Sequence, residues 1–221
     1  MPVEVVPTIL VDSAEEFRKR LRSVESLVDR VQWDIMDGIF VDNTTFSDTS
    51  ILSDLSTGLA IEADLMVCDP QNWIERFADT QVDRLVFHIE STSAPEVLIQ
   101  DAQAEGFKVG LTLDPDTPLK QVWDYLGEVD LFQVMGVKSG FGGQEFIPEV
   151  LDRISEVRRI FPDLSISVDG GINAKTAVQV VRAGANILCA GSFIFSARGG
   201  SISGQNSDNI EKAIRLLQQA G

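Results

Sequence analysis

The sequence predicts an α/β chain of the (β/α)8 TIM-barrel class, and three observations predict it. Short β-branched runs alternate with segments whose apolar residues recur every three or four positions. Eight such runs follow one another at similar intervals. None is followed by a GxGxxG turn, so an open doubly wound sheet, the second choice, lacks its usual phosphate turn. With 221 residues and no long Gly/Ser-rich or Pro-rich linker, the stretch 1–221 is expected to form a single barrel domain.

The first strand is VEVVPTIL (3–10). Ser13 and Glu16 then make a capping-box pattern, and Phe17, Leu21, Val24 and Leu27 fall on one helical face. The second and third strands are VQWDIM (31–36) and LAIEADLMV (59–67). Asp69-Pro70 opens a helix bearing Trp73 and Phe77, which leads to RLVFHIE (84–90). FKVGLTL (107–113), LFQVMGV (131–137) and LSISVDG (164–170) continue the series. Asn173 starts the helical run 174–183 and Gly184 stops it. NILCAG (186–191) is the eighth strand, and Ser207 starts a helix with Ile210, Ile214 and Leu217.

The formal charge of −16 repels nucleic-acid backbones and anionic lipid, so neither is an expected partner. No apolar stretch approaches the roughly 20 residues needed to span a bilayer. The start, MPVEVVP, has no signal-peptide pattern, and a cytoplasmic location is expected. Cys68 and Cys189 lack the spacing of zinc or redox motifs and read as free thiols. An acidic chain that binds an anion must do so locally, with backbone amides or a few placed cations.

WDIMDGIF (33–40) puts Asp34 and Asp37 inside an apolar, strand-like run. In a barrel, active-site groups gather at the C-terminal ends of the strands. Asp34, Asp64 and Asp169 stand at the ends of the second, third and seventh strands, so three strands deliver a carboxylate to one rim. A single acid at such a place is ordinarily a turn residue or cap; three together point to a site. The glycines indicate where a phosphate would sit. Gly170-Gly171 follows the seventh strand, Gly191-Ser192 the eighth, and GFGGQ (140–144) the sixth. Loops in these positions cradle phosphate with backbone amides, and the last has the composition of a closing loop.

These residues resemble the ribulose-phosphate 3-epimerase family over nearly the whole chain. The resemblance is carried by PTIL (7–10), DIMDGIFVDNTTF (34–46), DLMV (64–67), HIE (88–90), LDPDTP (113–118), GFGGQEF (140–146), VDGGI (168–172) and AGSFIF (190–195). It implies a barrel that inverts carbon 3 of a ketopentose phosphate, with Asp34 and Asp169 as the two proton carriers. It also implies that Thr8, Met36, Met66, Met135 and Lys138 surround the sugar, and that Gly140, Phe141, Gly142, Gly143, Gly170, Gly171, Gly191 and Ser192 hold the phosphate. A divalent metal held by two histidines and two aspartates is usual in the family.

The chain departs from that pattern. Gln32 and Asp64 stand where the resemblance calls for histidines, and His88, the one histidine, matches a different position. Thr8 replaces a serine, Lys138-Ser139 an Asn-Pro, and Asp114 an asparagine. A metal site built from Gln32, Asp34, Asp64 and Asp169 would offer oxygen donors alone, which favours Mg²⁺ or Mn²⁺ over Zn²⁺ or Fe²⁺. The alternative is no metal, its place taken by a proton, a water network or the Lys138 ammonium. Besides the epimerase, two further readings arise: a Schiff-base aldolase or transaldolase built on Lys138, and a catalytically silent sugar-phosphate binder. A small sugar phosphate is the expected partner in each, and a homo-oligomer the expected state.

Overall fold

The computed structural model describes residues 3–196 and 207–221. Eight parallel strands close into a barrel in sequence order: β1 (Glu4–Ile9), β2 (Arg30–Met36), β3 (Ala60–Met66), β4 (Val82–His88), β5 (Lys108–Leu113), β6 (Leu131–Met135), β7 (Ser165–Asp169) and β8 (Ile187–Ala190). Each falls within two residues of the run that predicted it, because β-branched runs bounded by turn residues leave little freedom of placement. Five longer connecting helices are α1 (Ala14–Val24), α2 (Gln71–Phe77), α3 (Pro95–Ala104), α4 (Val150–Ile160) and α5 (Ala174–Ala183). A single-turn helix, α6 (Ser192–Phe195), follows β8 directly, and α7 (Ser207–Gln218) ends the chain. Among the described residues, no helix is long and apolar enough to cross a membrane.

The βα alternation is incomplete in two places. Between β2 and β3 there is only a 3-10 turn, Thr49–Asp54, and between β5 and β6 two short ones, Leu119–Gln121 and Trp123–Tyr125. The first stretch is rich in Ser, Thr, Asp and Asn, whose side chains compete for backbone groups, and the second contains Pro115 and Pro118. The helix starts also differ in detail. Ser13 accepts a hydrogen bond from the Glu16 amide (3.3 Å), but the Glu16 carboxylate turns to Lys19 and Arg20, so the capping box is half made. Asn173 and Thr176 make a complete one.

Side-chain alternation divides the strands' residues between two environments. Outward residues such as Trp33, Ile35, Leu65 and Phe87 pack with Phe17, Leu21, Phe77 and Ile154 of the helices into one large apolar layer. The barrel interior is different. Its apolar part is a small cluster of Val6, Val86, Leu131, Ile187 and Cys189. Around it lie buried polar groups: Gln32, Asp34, Glu62, Asp64, Arg84, His88, Thr112, Gln133, Ser167 and Asp169. Arg84 Nε donates to Glu62 Oε2 at 2.6 Å, an ion pair shut inside the barrel wall.

Breaking such a pair strands a buried charge, whereas replacing both partners by apolar groups does not. Arg84→Met is therefore expected to lower stability by about 3–5 kcal/mol. In urea unfolding, the double variant Arg84→Met/Glu62→Leu should lose less than the single one; an equal or larger loss would show that the pair's charge is not what matters.

Candidate active site

Parallel register builds the site. Asp34 lies directly beside Asp64 and Met36 beside Met66 in the β2–β3 ladder, while Met135 lies beside Asp169 in the β6–β7 ladder. All six therefore point into one barrel mouth. The loop after β2 holds these ends in place. Thr45 Oγ1 donates to Asp34 O (2.8 Å) and accepts from Met36 N (2.9 Å). Asp37, the second acid of WDIMDGIF, serves the backbone instead: it accepts from the amides of Ile39, Phe40 and Cys68 at 2.8 to 2.9 Å. Partial burial works against its charge, but those three donors hold its carboxyl below the usual range.

Asp34, Asp64 and Asp169 each bring a buried carboxylate oxygen within 4.8 Å of the others. Gln32 lies between two of them: its Nε2 donates to Asp34 Oδ1 (2.8 Å) and Asp169 Oδ2 (2.7 Å). Gln133 Nε2 donates to Asp64 Oδ2 at 2.9 Å. His88 Nε2 stands 3.4 Å from Asp64 Oδ1, near enough for charge attraction though not aligned as a hydrogen bond. Burial is the largest influence on both flanking acids. It pushes Asp34 well up, helped by the negative charges of Asp169 and Asp64, and against the Gln32 hydrogen bond. It pushes Asp169 up to about 7, with the Asp64 charge adding and Gln32 opposing. Burial disfavours a charged His88, yet Asp64 outweighs it and the imidazole is raised.

Asp34 and Asp169 open onto a cavity of about 280 Å³. Its walls include Thr8, Asp34, Met36, Met66, Met135, Lys138 and Asp169, together with Gly140, Phe141, Gly142, Gly143, Gly170, Gly171, Gly191 and Ser192. Gln32 and Asp64 lie behind the wall, fully buried. Gly170 and Gly171 have φ of 95° and 69°, and a side chain on either would collide with Val137 or Phe146 at under 3 Å. That corner can therefore turn its backbone toward the cavity only with glycines. Asn43 Nδ2 donates to Gly140 O (2.7 Å), and Gln144 Nε2 to the carbonyls of Lys138 and Phe141 (both 2.7 Å), which pins the β6 loop. Asp114 accepts from Ser139 N at 3.2 Å, so two rewritten positions of the rim are partners of each other.

Lys138 lines the cavity but does not stand among the acids, the place that the alternative without metal offered it. It is exposed at the rim, and among the described residues Asp64's ion-pair partner is His88. The Gln32 amide nitrogen stands between Asp34 and Asp169 instead. Two participants escaped the sequence reading. Gln133 sits two residues before Met135 on β6, where alternation alone would have turned it inward. Arg20, on α1, lines the cavity with no signal beyond its neighbours Phe17 and Leu21.

A sequence model of the ribulose-phosphate 3 epimerase family matches residues 4–195. The chain belongs to the ribulose-phosphate 3-epimerase family. The ribulose-phosphate 3-epimerase of Mycobacterium tuberculosis strain H37Rv is 35% identical, covering 98% of this chain and 93% of its own length. That of Bacillus subtilis is 36% identical over 87% and 92%, and the cytoplasmic isoform of rice 36% identical over 88% of each. Among solved structures, a mutant tryptophan synthase alpha-subunit from Pyrococcus furiosus superposes with a TM-score of 0.72 at 14% identity, covering 99% of this chain and 100% of that one. At that identity the likeness shows the barrel alone.

The carboxylate trio suits a metal ion in this family member. Three buried oxygens are already gathered, and Asp64 Oδ1 and Gln32 Oε1 lie buried beside them without hydrogen-bond partners. In protein treated with chelator, the raised acids predict a pH effect. The folded state keeps a proton on Asp169 that the unfolded chain releases near the ordinary value of 3.8. Between that value and about 7 the folded state binds more protons, so stability falls as pH rises. Thermal unfolding of chelator-treated protein should show this decline, and Asp169→Asn should flatten it. A wild-type profile that is level or rising through the window would contradict the protonated pair.

Proposed function

We propose that the chain interconverts ribulose 5-phosphate and xylulose 5-phosphate by proton transfer at carbon 3. The observation that carries the reading is the Asp34–Gln32–Asp169 bridge: two buried acids from β2 and β7, held by one amide, at the base of a cavity walled by three glycine loops. The names of the relatives supply the substrate. The backbone amides of the glycine loops would take the phosphate, since a chain of net charge −16 offers it no general attraction.

The raised pair supplies the two protonation states that an inversion needs at once. One carboxylate removes the C3 proton; the C–H electron pair becomes the C2–C3 double bond, and the carbonyl pair moves onto O2 as an enediolate. The other carboxyl, still protonated, gives its proton to C3 from the opposite face, the carbonyl re-forms, and solvent restores the starting states. Gln32 keeps the two carboxyls in fixed relation, and Gln133 and His88 do the same for Asp64. The methionine side chains would pack against the sugar and exclude water with soft, polarisable sulfur.

Asp34, Asp64 and Asp169 would hold the divalent ion, with Gln32 able to offer Oε1 if its amide turns. Bound there, such an ion supplies positive charge to stabilise a developing enediolate. Without imidazole nitrogen in the set, Mg²⁺ or Mn²⁺ is favoured over Zn²⁺ or Fe²⁺. Metal analysis of protein purified without chelator should find Mg²⁺ or Mn²⁺ at these residues; stoichiometric zinc there would reverse the assignment. A cytoplasmic setting belongs to the same reading, on the name of the rice relative and the two free thiols. No observation favours a Schiff base on Lys138.

Asp34→Asn and Asp169→Asn should each lower turnover in a coupled xylulose 5-phosphate assay by about a hundred- to ten-thousandfold. Near-normal turnover by either variant would remove the two-acid mechanism. Phosphate binding is tested apart from the chemistry at Gly142, where nothing lies within 4 Å of an added Cβ. Gly142→Leu should leave the melting temperature unchanged and weaken ribulose 5-phosphate binding by about tenfold. Unaltered affinity would move the phosphate elsewhere.

A further inference from the structure

We propose that Arg20 is a specificity-determining residue that pairs with the phosphate of the substrate; this rests on the sugar-phosphate reading above. Four charged side chains line the cavity: Asp34 and Asp169, which repel a phosphate dianion, and Arg20 and Lys138. Backbone amides offer dipoles but no net charge, so a fixed cation is what can offset the two acids. Lys138 is exposed, whereas the Arg20 side chain is only 16% exposed and is held from three directions. Its Nη1 donates to Leu10 O (3.0 Å), its Nε faces Glu16 Oε1 (3.5 Å), and its guanidinium lies 5.2 Å from the centre of the Phe195 ring.

Those contacts place it on the phosphate side of the mouth. Phe195 belongs to α6, which begins directly after Gly191, and an added side chain at Gly191 would come within 2.5 Å of Thr8 Oγ1. Leu10 lies two residues beyond Thr8 at the end of β1. Arg20 is thus tied to both elements that meet at the Gly191-Ser192 loop. Its charge also remains available. Glu16 is shared with Lys19, 3.5 Å away, so one carboxylate faces two cations. Nη2 has no hydrogen-bond partner among the described residues. The planar guanidinium, pre-set by packing, would pair with phosphate oxygens at small entropic cost.

The test compares wild type, Arg20→Gln and Arg20→Lys with three probes: inorganic phosphate and ribulose 5-phosphate in calorimetry, and ribulose 5-phosphate against unphosphorylated ribulose in C3 proton exchange. Arg20→Gln should weaken both phosphate-bearing ligands by about tenfold or more and raise KM more than it lowers kcat. Arg20→Lys should restore part of the affinity, and the affinity of wild type should fall more steeply with salt than that of Arg20→Gln. Exchange on unphosphorylated ribulose should be equal in wild type and variant. A variant that loses both substrates alike would make Arg20 a structural staple, and one with unchanged phosphate affinity would overturn its pairing role while leaving the sugar-phosphate site standing. Failure of the wild type itself to bind either phosphate ligand would instead overturn the underlying reading along with it.

Discussion

Three buried aspartates, each with a carboxylate oxygen within 4.8 Å of the others, are the constraint that shapes this protein's interior. Burial of a lone carboxylate is costly, and a second nearby raises that cost. The barrel meets it with donors rather than with a paired lysine. Gln32 gives its amide hydrogens to two of the acids, Gln133 gives one to the third, and His88 stands beside it. Protonation absorbs the remainder, which is why the burden appears as raised acids at the base of the cavity. A cation held by the trio would share that role.

The rest of the mouth follows from this arrangement. Strand register sets Asp34 against Asp64 and brings the methionines one pleat higher, so apolar sulfur caps the acids instead of further charge. Asp37 and Thr45 spend their hydrogen bonds on the β2 end, fixing Asp34 from behind. The glycine loops that we propose for the phosphate follow β6, β7 and β8 and line the same cavity. The Gly170-Gly171 corner tolerates no side chain at all. Outside the strands, the apolar layer carries the fold's stability and leaves the interior free for chemistry.

All eight strands were legible in the sequence because each is a short β-branched run between turn residues. The missing helices were not, since alternation leads one to expect a helix in every connection, and only the Ser/Asp-rich and Pro-bearing compositions of two connections argued otherwise. Asp34, Asp64 and Asp169 were legible as strand-end acids, and their meeting follows from barrel closure. The bridge made by Gln32 was not legible. A glutamine in a strand declares neither which carboxylate it serves nor that it serves two. Lys138 shows the reverse: its charge and strand-end position suggested a partner for the acids, but the loop it begins carries it to the rim. Arg20 was hidden because a charged residue on an amphipathic helix ordinarily faces solvent.

The two-acid account is tested most directly by following carbon 3 itself. Wild-type protein and ribulose 5-phosphate in heavy water, sampled by NMR over the first turnovers, should yield xylulose 5-phosphate bearing deuterium at C3 while unreacted ribulose 5-phosphate remains largely protiated. That pattern requires one group to remove the proton and a different, solvent-equilibrated group to return one from the other face. Product that keeps its original C3 hydrogen, or substrate that stays unexchanged and unconverted, would contradict the account.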